Sequence, residues 1–361
     1  MEVFLGHLRT LLFKNYWDGP DGTGKKIFYF FTGFSHEAVI VFFVLSGFFI
    51  TGAIIKAIEN RRFSFLNYGL DRLVRLWIVL LPGLVFTFLV DRIGLHYFGN
   101  NLAYTGSLKY MGHIDVSANL NFKTFVGNVF FLQNILVNTF GSNAPLWSLC
   151  NEFWYYFLFP VTLFIFISKK NWQRFLFLGM ALGIIIFIGE NISLYFLIWL
   201  IGSVVFFIGT TLPPPSIRIR NILFSGGLIV FFICLYKLRT GGRSDFMKDF
   251  ISGIVTGIVC YTGLFSNIRS RIINRVASFF SGISYSLYVL HLPLCILITS
   301  CLAGFQRDWG LNNFILYIII VFFVLGVTVG FWYLFESRYI QVRTYLKRKF
   351  FSSIQSATIK N

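Results

Sequence analysis

Between Pro145 and Pro160 the chain reads PLWSLCNEFWYYFLFP, a carboxylate set among apolar and aromatic side chains. An ionised carboxylate in hydrocarbon costs several kcal/mol, about 2.5 to 3.5 on insertion scales, so it is expected to face a protein cavity and to have a partner. Glu152 is therefore the first candidate for a catalytic group, and Trp147, Ser148 and Tyr155 are candidates for substrate contact. The competing reading places Glu152 at interface depth, solvated beside Trp147, Trp154 and Tyr155 in an ordinary aromatic belt.

Two histidines offer acid–base chemistry. His291, in GISYSLYVLHLPL (Gly282 to Leu294), lies deep enough in an apolar helix to require a hydrogen-bond partner. Pro293 frees a backbone carbonyl nearby, and Tyr285 and Ser286 add hydroxyls one or two turns away. Satisfied structural histidine and substrate contact both fit this pattern. His7, with Arg9 close behind it, suits a general base or a plain interfacial residue. Arg72 and Arg75 stand on one helical face beside Arg61 and Arg62, where guanidinium groups would grip phosphate in a bidentate manner, or would simply mark the cytoplasmic end of the helices. Ser46 and Gly47, in AVIVFFVLSGFFITG, allow two backbones to approach closely.

These residues need a membrane to position them. The 361 residues are 56% hydrophobic and only 12% charged, with mean hydropathy +0.73, well outside the range of a soluble domain. Apolar runs of spanning length are expected at about 36–58, 70–93, 144–168, 174–189, 192–211, 219–236, 250–265, 282–302 and 313–335. Met1 to Phe13 reads as the second half of another span. The fold class is thus all-α, a polytopic bundle of about ten transmembrane helices. Residues 1–350 form one membrane domain, and 351–361 a cytoplasmic tail.

Lys14 to Lys26 reads as a surface loop around DGPDGTGKK, and Phe122 to Phe140 as an interfacial or re-entrant helix. The triple proline from Pro213 to Pro215 ends the span before it. The net charge of +17 sits at the ends of the apolar runs, as the positive-inside rule requires, which argues for the lipid bilayer as partner and against nucleic acid. With the segment after residue 58 cytoplasmic, most Lys and Arg fall inside and so does the C-terminus. Lys237, Arg239, Arg243 and Lys248 then form a basic loop on the outer side. Cys150, Cys234, Cys260, Cys295 and Cys301 match no disulfide or metal spacing, and no metal site is expected. MEVFLGHLRTLLF lacks the basic leader and small-residue site of a cleavable signal.

FFVLSGFFI (Phe42 to Ile50), DRLVRLWIVLLP (Asp71 to Pro82), PLWSLCNEFWYYFLFP and SYSLYVLHLP (Ser284 to Pro293) stand in an order that resembles the membrane acyltransferase family 3, over essentially the whole chain. Members of that family O-acetylate bacterial polysaccharides, lipopolysaccharide O-antigen and nodulation factors, usually on ten helices. The resemblance implies a multi-pass protein of the bacterial cytoplasmic (inner) membrane. It implies acyl-coenzyme A, usually acetyl-CoA, as donor substrate with no bound cofactor, and a saccharide hydroxyl on the outer side as acceptor. His7 takes the position of the family's essential histidine, Glu152 would orient it or the acceptor, and Arg72 and Arg75 would hold the donor phosphates. Ser46 is a weaker candidate for a covalent relay. The arginine that the family places before its histidine would precede Met1, which implies a start downstream of the true one or a truncated, inactive copy. A secondary transporter of a small polar substrate is the alternative class, although no inverted repeat relates the two halves.

Overall fold

The computed structural model describes residues 1–18, 22–101, 103–105, 115–213, 216–240, 246–264, 271–302 and 306–358, the side chains of 235–240 and 350–358 excepted. Those residues are helical almost throughout, and no strand occurs among them. In order they form α1 (Glu2–Leu12), α2 (Thr23–Phe31), α3 (Ser35–Glu59), α4 (Phe65–Phe98), α5 (Val116–Asn119), α6 (Phe122–Val129), α7 (Leu146–Ile167), α8 (Asn171–Thr211), α9 (Ile217–Thr240), α10 (Phe246–Leu264), α11 (Arg271–Cys301), α12 (Leu311–Leu334) and, after a short 3-10 turn, α13 (Tyr339–Thr358). The chain is an all-α polytopic membrane protein.

Seven stretches among the described residues are long and apolar enough to cross a bilayer. The expected ten differ from these in three places. Residues 171–211 run as one element, broken at Gly189, whose φ of 77° no other residue type adopts readily. The helix α10 falls outside the seven, and α1 has only 11 residues. Two further differences are local. Thr23–Phe31 is helical where the turn-rich sequence predicts loop, because Lys25 and Tyr29 bury one turn apart and give the segment an inner face. The expected helix from Phe122 stops at Val129, capped at its start by the Asn121 side chain, and the chain then turns at Phe131 and Asn134 with φ of 56° and 64°. Lys237, Arg239 and Arg243 lie outside the described side chains, as do Pro214, Pro215, Arg269 and Lys360.

The helices group into two compact units. The first comprises residues 1–33, 64–147 and 272–361. Its core gathers Phe4, Leu8, Leu11 and Leu12 of α1, Leu292 and Ile296 of α11, and Tyr317, Ile320, Val321 and Val324 of α12. The second comprises 34–63 and 148–271, with α3 and α10 both packed on α8 and α9 on α10. In that unit Gly47 and Gly202 serve close packing. A methyl group on Gly47 would lie 2.0 Å from the Trp199 carbonyl oxygen, and one on Gly202 would lie 1.9 Å from that of Val44. Backbones this near give the dispersion contact that holds helices together where lipid is as apolar as the side chains. Phe175, Leu178, Leu182 and Ile186, on the first half of α8, point outward, as a lipid-facing surface must.

Candidate active site

In the first unit the site grows from α1. Phe4, Leu8 and Leu11 recur at helical spacing on its buried face, and His7 shares that face with Phe4 and Leu11. Tyr317 of α12 fastens the helix by donating to the Leu5 carbonyl at 3.0 Å. His7 thereby meets His291 of α11, with Nδ1 3.0 Å from Nε2 and the two rings within 13° of parallel. Phe4 closes one side, edge-on to His291.

The protons of this pair follow from its surroundings. His291 Nδ1 lies 3.0 Å from the Leu287 carbonyl and 2.9 Å from that of Tyr288. Carbonyl oxygens only accept, so Nδ1 of His291 carries the proton and Nε2 is a bare lone pair. The hydrogen between the rings therefore belongs to His7 Nδ1. The lone pair that the neutral pair leaves over is Nε2 of His7, on a side chain that stays partly exposed.

The helix around His291 is shaped by Pro293, which cannot donate to the Val289 carbonyl four residues earlier. Asn143 Nδ2 supplies that bond instead, at 2.7 Å, and also donates to Thr87 Oγ1 at 3.1 Å. Beside it Asp91, fully buried, accepts from the Ser142 amide and hydroxyl, each at 2.7 Å. Gly141 takes a φ of 57° where a Cβ would run into the Asp91 carboxylate. Tyr288 donates to the Pro145 carbonyl, and Gln133 to that of Leu146 at 2.9 Å. The loop that leads into Trp147 is thus fixed to α4 and to the helix of His291.

Glu152 belongs to the second unit, since the division falls between Trp147 and Ser148. Its Oε1 accepts from Ser46 Oγ at 3.2 Å and from the Tyr156 hydroxyl, and Trp199 Nε1 donates to Ser46 Oγ at 3.2 Å. Ser46 joins two polar groups here, and its neighbour Gly47 makes the close approach to Trp199. Tyr155 is buried and donates to the Ile192 carbonyl at 2.6 Å, just beyond the break in α8. Ser148 is buried and Trp147 half-buried. A further polar group joins His36, Asp249 and Tyr195, with both side chains on Asp249 Oδ2 at 2.8 and 2.5 Å.

At the far end of α12 from His7's helix, Arg75 pairs with buried Glu336 at 2.9 Å and lies over the Tyr339 ring. Glu336 also accepts from the Ser286 amide and hydroxyl, at 3.1 and 2.7 Å. Arg72 lies over Tyr68, and Tyr285 donates to the Leu76 carbonyl at 2.9 Å. Asp71 takes Arg343 through two bonds, at 2.6 and 2.7 Å, and Lys347 at 2.8 Å. Among the described residues no cluster of His, Cys, Asp and Glu could hold a metal.

Sequence reading missed Asp91, Asn143, Asp249 and Glu336. The rule that singled out Glu152, a carboxylate within an apolar run, also fits Asp91 in FTFLVDRIG. Nothing local marks Asn143 or Glu336, whose partners lie far along the chain.

The model of the acyltransferase 3 family, an acyltransferase domain, matches residues 1–335. The chain belongs to that family. It is a membrane acyltransferase by this membership. No curated protein and no solved structure matches it.

Proposed function

We propose that this acyltransferase moves an acetyl group from acetyl-coenzyme A at the cytoplasmic face to a hydroxyl of an exported or cell-surface saccharide, across a bacterial cytoplasmic membrane with the C-terminus inside. The observation that carries the reading is the His7 Nε2 lone pair, held by His291 in a chain whose family transfers acyl groups. His7 Nε2 accepts the proton of the acceptor hydroxyl as its oxygen attacks the thioester carbonyl carbon. The carbon–sulfur bond breaks, and the coenzyme A thiolate takes the proton back from the imidazolium. The His7 Nδ1–H bond to His291 strengthens as His7 becomes charged. His291 is the positioning residue, the part that the sequence suggested for Glu152.

We assign Arg72 and Arg75, on one face of α4, to the donor phosphates, with Arg75 also answering the buried charge of Glu336. Glu152 holds the hydroxyls of Ser46 and Tyr156 in a fixed array, and Trp147, Ser148 and Tyr155 stand along the same helix. The test is transfer of labelled acetyl from acetyl-CoA to surface saccharide in membranes carrying wild type, His7→Ala or Glu152→Gln protein. Label with wild type and none with His7→Ala is the expected result. Equal label from His7→Ala, or none from folded wild type, would overturn the reading.

A further inference from the structure

A cavity of about 220 Å³ opens at the C-terminal end of α1, lined by Arg9, Thr10, Phe13, Lys14, Asn15, Tyr16 and Tyr29. Its character is cationic and aromatic. Arg9 lies over the Tyr29 ring, 4.9 Å from the centroid, and one of its NH2 groups reaches Thr10 Oγ1. Behind the wall the amine of Lys25, 1% exposed, stands 5.5 and 5.9 Å from the Tyr16 and Tyr29 rings and donates to the Asp18 carbonyl. Among the described residues of this end the carboxylates are Asp308, which pairs with Lys14 at 2.9 Å, and the exposed Asp18. Among the same residues the cations are Arg9, Lys14, Lys25, Lys26 and Arg307, so positive charge outnumbers negative in this set.

The place of the cavity gives the excess a purpose. Thr10 lies three residues beyond His7 on the same helical face, about 4.5 Å along the axis. Phe13 pairs with Arg307, and Lys14 with Asp308, which sets this end of α1 at the start of α12. Arg75 and Glu336 mark the other end of α12, about 36 Å away by helix rise. Donor and cavity thus fall at opposite ends of one helix. Of the residues that line the cavity, Thr10 stands one turn beyond His7 on the same face, and Arg9 stands two positions beyond it on another face.

We infer that the cavity is the acceptor subsite and that it selects a saccharide carrying an anionic group, carboxylate or phosphate, gripped by Arg9 and Lys14 with a sugar face on Tyr16 or Tyr29. This rests on the acyltransferase reading. Arg9 offers the fork that matches either anion, and the rings offer flat apolar faces. The charge fixes the saccharide at the mouth, and a hydroxyl one turn deeper meets His7.

The test is binding to purified full-length protein in lipid nanodiscs, followed by tryptophan fluorescence. Three probes are compared: an oligosaccharide bearing a hexuronic acid, the same oligosaccharide with its carboxyl reduced to the alcohol, and a sugar 1-phosphate. The wild type is expected to bind at least one anionic probe about tenfold or more tightly than the neutral one, the range of a charge-assisted hydrogen bond. Added salt should narrow the gap. Which anion binds identifies the source of the charge. Arg9→Gln should abolish the preference and Arg9→Lys should keep part of it. His7→Ala should bind as wild type does while transferring nothing. Equal binding of acidic and neutral probes by wild type, or a preference that survives in Arg9→Gln, overturns the inference. Anion-selective binding by a wild type that transfers no acetyl would instead sink the acetyl-transfer reading and leave an anion-selective saccharide site without the role of acceptor subsite.

Discussion

At the scale of single residues the chemistry turns on which nitrogen holds which proton. His291 is committed through Nδ1 to two carbonyls, so its only remaining use is to accept from His7. Replacing it with Ala removes that acceptor without touching substrate. His291→Ala is expected to lower kcat about a hundredfold, the usual cost of a misoriented catalytic group, while KM for acetyl-CoA stays unchanged. A fall in melting temperature with unchanged kcat would show that the pair is structural instead. Glu152 gives a second residue-scale expectation. Gln at 152 still offers an oxygen to Ser46 and Tyr156, whereas Ala leaves both hydroxyls buried without their acceptor. Glu152→Ala should therefore destabilise the protein by about 1–3 kcal/mol more than Glu152→Gln, as thermal unfolding of the two variants would measure.

At the scale of elements the feature that matters is the proline inside helix α11. Pro293 removes one hydrogen bond from it, and Asn143, from the loop before α7, supplies another to the same carbonyl. The two changes should therefore be coupled. Asn143→Ala strands the Val289 carbonyl and is expected to cost about 1–3 kcal/mol. In the double variant Asn143→Ala/Pro293→Ala the helix can satisfy that carbonyl with its own amide, so the combined loss should be smaller than the sum of the separate losses. Strict additivity in this double-mutant cycle would sever the link between loop and helix. The spans themselves were legible because about 20 apolar residues have few uses besides crossing a bilayer. The helix at Thr23 was not, because its inner face depends on Tyr29 and Lys25 finding partners at Lys14 and Asp18.

At the scale of the whole molecule the question is orientation. The proposed topology has the basic ends of α4, α11 and α13 in the cytoplasm and the end of α1 outside. Trp17 is 88% exposed near the cavity, and Arg348 is exposed on α13. In a Cys301→Ser background, chosen because Cys301 is itself exposed, Trp17→Cys should react with a membrane-impermeant thiol reagent in spheroplasts. Arg348→Cys should react only after permeabilisation. The reverse pattern would invert the protein and move the acceptor to the cytoplasmic side.

The sequence by itself determined the class, most of the spans and the motifs, because burying backbone in lipid leaves few solutions and a polar group within an apolar run must be accounted for. It said that His291 needs a partner. Only the tertiary structure decided that the partner is His7, 284 positions away, that Glu336 takes Arg75 and Ser286, and that Glu152 takes Ser46 and Tyr156. Periodicity fixes which face of a helix turns inward. It does not fix which helix that face meets, since such pairings depend on packing between segments far apart in the chain.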